Sequence, residues 1–328
     1  MLIIQNDNTD AAFNLALEEA LLHGYDDDVF MLWQNRRAVI VGKNQNTAQE
    51  VDRQFAEKNG IQVVRRLTGG GAVYHDLGNL NFTFIKRGAA GQFLDFSQFN
   101  APIVALLAEA GVAEVSEARN DILAGGRKIS GGAQTVCRGA VLHHGTLMFD
   151  VDLGILEKVL KPHPLKIESK AVRSVRSRVD NLSRLADIDI PRFSKKVENR
   201  MKESANDAKT LDAGVGVLYD RAMALKTAKY DTYDWNYGFS PDYAYHTAVY
   251  GEAGLVEVWM RISRGRIERV RFAGDFTGLE PVSGLEAALT GAVLSPGALQ
   301  ETVAKIDLGR YIARLSEQTL LALLTGDA

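Results

Sequence analysis

The chain has 328 residues, and its 46% of hydrophobic and 24% of charged residues are ordinary proportions for a globular protein that buries a core. The 38 basic residues nearly balance the 41 acidic ones, so the net charge of -3 gives no reason to expect nonspecific binding to nucleic acids or anionic membranes. No run approaches about eighteen apolar residues and the N-terminus lacks a signal-peptide pattern, which together predict a cytoplasmic protein.

The first elements alternate between helices and strands. Apolar residues on one helical face predict a helix from Asp10 to Gly24, with Asp10 as its N-cap. Val29 to Trp33 and Ala38 to Val41 have the composition of two strands. A second helix is expected from Val51 to Asn59, followed by a strand from Gln62 to Arg66.

The segment from Arg65 to Phe84 concentrates arginine, glycine, histidine and asparagine. Its three consecutive glycines, Gly69 to Gly71, would let a carboxylate, a phosphate or an acyl chain approach the backbone closely. Arg65 and Arg66 precede the glycines and could supply positive charge. A glycine triplet arises by chance in roughly a quarter of chains with this composition, and a wide hairpin between two strands is also consistent with the pattern.

A helix is expected around Phe96 to Gly111, and short strands follow it without intervening helices. These strands lie around Ile122, Lys128 to Ile129, Gly132 to Val136, and Val141 to Val151. Consecutive strands favour an α+β fold with a mixed, mainly antiparallel sheet and helices to one side, rather than a doubly wound parallel sheet.

The second half opens with a basic segment, Lys161 to Arg178, whose prolines and lack of apolar periodicity predict a mobile loop. Helical patterns follow from Pro191 to Asn206 and from Leu211 to Ala228, and an aromatic stretch around Gly238 and Pro241 interrupts them. This interruption predicts a large domain of residues 1–241 and a small α+β domain of residues 242–328. The small domain has strand patterns at Ala248 to Tyr250, Val256 to Ser263 and Ile267 to Phe272, and helical patterns at Leu279 to Leu289, Pro296 to Lys305 and Leu308 to Leu324.

Lys128 lies in a predicted β-hairpin downstream of the glycines. Strict alternation would place Lys128 and Ser130 on one face of the strand and Arg127 and Ile129 on the other. If the Lys128 face shares a cleft with the glycines, its ammonium could bridge two anionic groups. A solvated hairpin lysine is the alternative, and spacing alone favours neither.

The signatures HExxH, GxSxG and GxxxxGK[ST] are missing from the sequence. The adjacent His143 and His144 would point to opposite faces of a strand, so they would not readily bind one zinc ion. The single cysteine, Cys137, excludes an intrachain disulfide, and we interpret it as a buried thiol rather than a nucleophile. The remaining pattern favours a site that handles carboxyl groups and other anions.

Four segments, RRLTGGGAVYHDLGNLNFTF, RND, RKISGGAQ and HHGTLMFDVDL, in this order, resemble the lipoate-protein ligase family. The resemblance continues in WNYGFSP and the small domain, which is similar to the accessory domain of bacterial two-domain members. It implies a catalytic domain related in fold to biotin ligases. It also implies ATP-dependent, AMP-forming attachment of lipoate to a lysine of an acceptor protein through a lipoyl-adenylate.

The resemblance further implies which residues bind the substrates. Lys128 matches the essential lysine of the family, and Asp121 would hold Mg²⁺ or orient the adenylate. The residues implied to bind lipoate or ATP are Arg66, Gly70, Gly71, Ala72, Val73, Tyr74, His75, Asn79, Lys128, Ser130, Gly131, His144 and Thr146.

ATP and Mg²⁺ are the implied cosubstrate and ion, lipoate is the implied substrate, and no tightly bound cofactor is expected. The implied acceptors are lipoyl domains of 2-oxoacid dehydrogenase acyltransferase subunits and the glycine cleavage H protein, with no nucleic-acid or membrane partner. The basic segment from Lys161 to Arg178 matches a family loop that closes over the adenylate.

Two alternatives stay open. An octanoyl or lipoyl transferase of the same superfamily forms an acyl-thioester without ATP, but the stretch upstream of the Lys128 hairpin, where its nucleophile would lie, reads VSEARND. A catalytically silent lipoyl-binding protein would not need Arg66, Asp121 and Lys128 together. A biotin ligase would be expected to contain a GRGRxGR-type loop, which this sequence lacks.

Overall fold

The computed structural model describes residues 1–160, 179–205, 207–238, 245–263, 265–294 and 296–325. Its strands are β1 (Leu2–Gln5), β2 (Val29–Trp33), β3 (Ala38–Val41), β4 (Gln62–Arg65), β5 (Val73–His75), β6 (Asn79–Lys86), β7 (Val115–Ala118), β8 (Asp121–Ala124), β9 (Arg127–Cys137), β10 (Ala140–Met148), β11 (Lys209–Asp212), β12 (Tyr245–Gly251), β13 (Gly254–Ser263) and β14 (Arg266–Gly274). Its helices are α1 (Ala11–Gly24), α2 (Thr47–Glu50), α3 (Arg53–Lys58), α4 (Ser97–Glu109), α5 (Leu153–Val159), α6 (Ile190–Ser204), α7 (Gly216–Leu225), α8 (Tyr233–Asn236), α9 (Ser283–Leu289), α10 (Pro296–Val303), α11 (Leu308–Tyr311) and α12 (Glu317–Thr325).

The large domain is built on an eight-stranded sheet in the order β11-β1-β2-β6-β10-β9-β8-β7. Strand β1 runs parallel to both of its neighbours, and the other pairings are antiparallel. The predicted α+β class and the mixed, mainly antiparallel sheet are therefore confirmed.

Helices cover both faces of this sheet, whereas the sequence predicted helices on one side. Alternate residues of β2 enter opposite cores: Met31 packs with α1 and α7, and Phe30 packs with α4 and α6. All five side chains of β2 are buried. A strand that is apolar on both faces must be covered on both, which is the physical reason for the difference.

A second, three-stranded sheet holds the glycine segment. Strand β3 pairs in parallel with β4 and antiparallel with β5, while β6 belongs to the large sheet. The glycines therefore connect two strands that flank β3, and a wide hairpin between β4 and β6 is excluded. Strands β2 and β3, although consecutive, also lie in different sheets.

Helix α1 begins where the sequence predicted. The Asp10 carboxylate accepts a hydrogen bond of 2.9 Å from the backbone N–H of Phe13, as an N-cap does. Two other helix predictions were wrong in extent. Leu211 lies in β11, so α7 begins only at Gly216, and a turn at Arg314 separates α11 from α12.

The small domain has an antiparallel sheet, β12-β13-β14, packed against α9 to α12. It touches the large domain through Asn44, whose carbonyl accepts from Gly274 N–H at 2.8 Å and whose side chain donates to Phe276 O at 3.2 Å. The basic segment Lys161 to Arg178 and the boundary placed after residue 241 lie outside the described residues, so both stay predictions. No helix in the described ranges is long and apolar enough to cross a membrane.

Candidate active site

A cavity of about 160 Å³ lies beside the glycine segment. Apolar walls come from α1, β2 and β3 through Leu15, Trp33 and Ile40. Ten of the residues implied by the resemblance also line it: Arg66, Gly70, Gly71, Ala72, Val73, His75, Lys128, Gly131, His144 and Thr146. An apolar cavity with a few convergent polar groups is a typical small-molecule site.

The structure places four of the implied residues away from the cavity lining. Tyr74 packs on the opposite side of β5, in a core cluster with Val39 and Val41. The Asn79 side chain donates to Asn81 Oδ1 at 2.9 Å. Ser130 and Asp121 are the other two, and a β-bulge explains the position of Ser130.

Strand β9 contains one extra residue relative to β8. Ser130 pairs with the buried Ile122 and Lys128 pairs with Leu123, which leaves Ile129 as the inserted residue. The insertion breaks strict alternation, so Lys128 faces the cavity while Ser130, 1% exposed, is buried away from its lining. The expectation that Lys128 and Ser130 share a face was wrong.

The Lys128 ammonium lies against its own strand. Its Nζ is 2.8 Å from Asp121 Oδ1. A Cβ added to Gly131 would lie 2.7 Å from the same Nζ, so the absence of a side chain at Gly131 makes room for Lys128. Asp121 therefore acts as the counter-ion of Lys128 from a position behind the cavity lining.

The two arginines before the glycines are both buried and both bound to the backbone. Arg65 donates to carbonyls of Gly42, Lys43, Gln45 and Trp235, which ties β4 to helix α8. None of these contacts faces the cavity, and Arg65 does not line it. The idea that Arg65 supplies charge to a ligand is therefore not supported by its position.

Arg66 lines the cavity and holds the glycine loop in shape. Its guanidinium donates to Gly69 O at 2.5 Å, to Gly71 O at 2.9 Å and to Thr68 Oγ1 at 2.8 Å. Burial lowers the pKa of Arg66 to about 10, so it stays protonated at neutral pH. Its charge thus lies under the exposed backbone of the loop.

His144 joins the loop to α1. Its Nε2 is hydrogen bonded to Thr68 Oγ1 at 2.8 Å, and its Nδ1 lies 3.0 Å from both carboxylate oxygens of the buried Glu18. Glu18 also accepts from Thr83 at 2.6 Å, and Thr83 accepts from Trp33 Nε1 at 2.8 Å. His143 enters the opposite core, where its ring centroid lies 4.8 Å from that of Phe99. The two histidines therefore point to opposite faces of β10, as predicted.

His75 lines the cavity with a buried, neutral ring. Asn14 donates to Asn35 Oδ1 at 2.9 Å, so the Asn35 amide nitrogen donates in turn to His75 Nδ1 at 3.0 Å. Nε2 then carries the proton, and it has no hydrogen-bond partner within the described chain. Burial, with smaller contributions from Arg66 and His144, lowers the pKa of His75 to about 3.

A second cavity of about 280 Å³ adjoins the first, and both are lined by Gly70, Gly71, Asn120, Gly132 and Ala133. Its far wall comes from the small domain, including Tyr250, Asp275 and Arg314. The two cavities therefore meet along the glycine loop and strand β9.

Sequence reasoning missed several lining residues, including Leu15, Trp33 and Asn120. Leu15 and Trp33 carry no local signal, because most residues of helix α1 and all those of strand β2 are buried, so a cavity-lining residue looks like its neighbours. Asn120 stands in the conspicuous RND segment next to Asp121, and that position was a usable signal.

Within the described residues no group of three or more histidine, cysteine or acidic side chains could hold a metal ion. Mg²⁺ often binds through one or two carboxylates together with substrate phosphates and water. Asp121 fits that mode, since its carboxylate pairs with Lys128, which lines the cavity.

Comparison with known proteins gives a consistent result over the whole chain. The family described as Lipoyl protein ligase A/B catalytic domain matches residues 10–202, and Bacterial lipoate protein ligase C-terminus matches residues 240–324. Lipoate-protein ligase 1 of Staphylococcus aureus is 37% identical over 99% of this chain and 100% of its own length. Lipoate-protein ligase LplJ of Bacillus subtilis is 36% identical, with the same coverage of both chains.

Three solved structures are similar. Plasmodium falciparum LipL1 in complex with lipoate aligns with a TM-score of 0.77 over 99% of this chain and 98% of its own, but at 24% identity it supports the fold alone. A bipartite lipoate-protein ligase from Thermoplasma acidophilum, described with its E2 lipoyl domain, has a TM-score of 0.62 at 29% identity, covering 74% of this chain and 98% of its own. A lipoate-protein ligase A bound with ATP has a TM-score of 0.61 at 29% identity, covering 73% and 98%.

Proposed function

The chain belongs to the lipoate-protein ligase family, and from that membership we propose that it joins lipoate to a lysine of an acceptor lipoyl domain at the expense of ATP. In the first step the lipoate carboxylate attacks the α-phosphorus of ATP, forming lipoyl-adenylate and releasing pyrophosphate. In the second step the free amine of the acceptor lysine attacks the acyl carbonyl, an amide forms, and AMP leaves.

The observation that carries this proposal is the pair of adjoining cavities. The first is largely apolar and contains Lys128, which suits an acyl chain that ends in a carboxylate. The second is lined by Arg119 and Arg314 together with exposed backbone, which suits a nucleotide. The two substrates would meet at the glycine loop, where no side chain separates the acyl carboxylate from the α-phosphate.

Lys128 is the residue we assign to the chemistry. Two anions must be brought together in the first step, and a compact ammonium between them offsets their repulsion and the charge that develops at phosphorus. Contact with either substrate would exchange the Asp121 partner for a substrate oxygen. Bound Mg²⁺ would neutralise charge on the phosphates, and Asp121 is the carboxylate available to help hold it.

The other cavity residues bind and orient the substrates. His75 Nε2–H would donate to an acyl carboxylate or carbonyl oxygen, because Asn35 occupies Nδ1 as an acceptor. Burial lowers the pKa of the ring to about 3, so the ring stays neutral at neutral pH. Arg66 fixes the glycine loop through Gly69 O and Gly71 O. These donors are held by the fold before the substrate arrives, which limits the reorganisation needed in the transition state.

The acceptors we propose are lipoyl domains of 2-oxoacid dehydrogenase acyltransferase subunits and the glycine cleavage H protein. The described association of a relative with its E2 lipoyl domain supports the first class. A cytoplasmic location is part of the same proposal.

The thioester rival depends on Cys137, which does not line either cavity. The thiol is half-buried rather than buried as the sequence predicted, and its Sγ is 3.9 Å from His23 Nδ1, beside the core around α1. We therefore expect Cys137→Ser to retain ligation activity close to the wild-type rate in a lipoylation assay. A folded but inactive Cys137→Ser variant would support thioester chemistry instead.

The experiment that tests the proposal is an ATP-dependence test. Purified enzyme is incubated with free lipoate and an apo lipoyl domain, with and without ATP and Mg²⁺, and the acceptor is weighed by mass spectrometry. The lipoyl mass increment should appear only with ATP, and AMP should accumulate in equal amount. Modification without ATP, or none with it, would overturn the proposal.

A further inference from the structure

The second cavity is closed by both domains, although the family resemblance assigns the chemistry to the large domain alone. Arg119 lies on the large-domain wall and its Nη2 reaches the carbonyl oxygen of Glu252 on the small domain at 3.4 Å. Arg314 lies on the small-domain wall. The cavity therefore brings two arginines to opposite sides of one space.

Backbone strain is concentrated around this cavity. Within the described chain six non-glycine residues have a left-handed φ, and three of them line it: Leu94 (φ 69°), Arg119 (φ 57°) and Arg314 (φ 65°). A left-handed conformation costs free energy in a residue with a Cβ, and such residues cluster where function maintains them. The residues that line this cavity are a small part of the chain, so chance would not place three of the six left-handed residues among them.

Arg314 is held in place by its backbone while its side chain is uncommitted. Ala313 N–H donates to Thr277 O at 2.8 Å, and Leu315 N–H donates to Ile312 O at 3.3 Å. In the part of the chain described, the Arg314 guanidinium makes no hydrogen bond or ion pair, and the side chain is exposed. Backbone hydrogen bonds therefore order the turn, while the Arg314 guanidinium at the cavity is available to bind an anion.

We propose that Arg314 binds the β- and γ-phosphates of ATP from the small domain, opposite Arg119, so that the small domain completes the nucleotide site. The inference rests on the proposed function, because it needs a triphosphate in the second cavity. A planar guanidinium is suited to the paired oxygens of a phosphate, and left-handed backbone at both arginines is the strain this site maintains.

Two carboxylates, Glu252 and Asp275, also line the cavity. Asp275 Oδ1 accepts from Leu255 N–H at 2.6 Å, so it is partly engaged in the small domain. With two acids and two arginines, the lining does not favour a bare phosphate ion. It favours a polyphosphate that arrives with its own divalent cation.

The test measures nucleotide binding to the full-length chain by calorimetry, using a nonhydrolysable ATP analogue with Mg²⁺ and, separately, AMP. Arg314→Gly should raise the Kd of the ATP analogue about 10-fold or more, as expected for loss of a charged hydrogen bond. The Kd of AMP should stay unchanged, because AMP lacks the β- and γ-phosphates. Arg314→Lys should recover part of the affinity.

The variant Arg314→Gly also distinguishes a role of Arg314 in ATP binding from a role in the stability of the turn. Glycine adopts a left-handed φ without a Cβ penalty, so Arg314→Gly should raise the Tm of the small domain while it weakens ATP binding. Arg310→Ala is the matched control, since Arg310 lies in the same domain, pairs with Glu280 and does not line the cavity. Its Kd values should equal those of the wild type.

Wild-type affinity for the ATP analogue in Arg314→Gly would overturn the inference while the ligase proposal stands. A parallel loss of AMP affinity would also overturn it, since the residue would then act on the whole nucleotide site. If the wild-type chain does not bind the ATP analogue, the proposed function fails first, and the inference fails with it.

Discussion

Two buried histidines, His75 and His143, make this protein sensitive to mild acid. Burial lowers the pKa of each to about 3, while an unfolded histidine titrates near pH 6.5. Below about pH 6.5 the unfolded chain binds protons that the folded chain does not. The stabilisation is therefore complete above that pH and is lost as pH falls toward 3.

The first prediction follows from these two residues. Each histidine should lower the free energy of unfolding by about 2 kcal/mol between pH 7 and pH 5. The reason is that its contribution to stability falls by about 1.4 kcal/mol for each pH unit below 6.5. Urea unfolding at several pH values measures this slope. His143→Phe, whose new ring can still stack on Phe99, should take up about one proton fewer on unfolding, so its slope should be smaller by that amount. A flat urea midpoint from pH 7 to pH 5 would contradict the neutral assignment.

At the scale of elements, Arg65 fixes the strand that precedes the glycine loop. Arg65 joins β4, the loop around Gly42 to Gln45, and helix α8 through its guanidinium. Helix α8 returns the contact, because Trp235 Nε1 donates to Arg65 O at 2.8 Å. One buried side chain thus fixes three segments that are distant in sequence.

The second prediction concerns this connection. Arg65→Ala would leave several buried carbonyl oxygens without a donor, and we expect a loss of about 3 kcal/mol or more in the free energy of unfolding. Urea denaturation followed by tryptophan fluorescence measures it. Arg36→Ala, at an exposed position of the same domain, should leave the midpoint unchanged. An unchanged midpoint in Arg65→Ala would mean that the arginine is not structural.

Much of the fold could be predicted from the sequence where local rules decide. Asp10 caps α1, and the strands Val29–Trp33 and Ala38–Val41 have the predicted bounds. The bulge at Ile129 could not be predicted, because a period-2 pattern has no signal for an inserted residue. The strand at Leu211 could not be predicted either, because it forms by pairing with Ile4, in a distant part of the chain.

The site was predictable to a similar degree. The glycines and Lys128 stand out as a dense polar pattern, and the structure brings them to one cavity. Leu15 and Trp33 do not stand out, because residues that line an apolar cavity look like any other core residues. Glu18 was not singled out by the sequence, and it is buried against His144, a partner distant in the chain.

At the scale of the whole molecule, the small domain rests directly on the glycine loop. A Cβ added to Gly69 would lie 2.5 Å from Phe276 O and 2.7 Å from Thr277 Cγ2. Only glycine therefore permits this approach between the domains. The contact links the substrate loop to the domain that closes the second cavity.

The third prediction tests that link. Gly69→Val should push the small domain away, so that the radius of gyration measured by small-angle X-ray scattering increases and the affinity for ATP falls. Gly91→Val is the control, because a Cβ at Gly91 would meet nothing within 4 Å and Gly91 lines neither cavity. An unchanged radius of gyration in Gly69→Val would show that the domains do not meet there in solution.

The central claim is that Lys128, which lines the first cavity, activates lipoate with ATP. Lipoate-dependent exchange of pyrophosphate into ATP reports the first step directly, without an acceptor protein. The wild type should catalyse exchange, and Lys128→Ala should lose it by about 100-fold or more with its unfolding curve unchanged. Arg127→Ala should retain exchange, because Arg127 lies on the same hairpin as Lys128 but its exposed side chain pairs with Asp180 and does not line the cavity. Near-normal exchange in Lys128→Ala, or none in the wild type, would contradict the account.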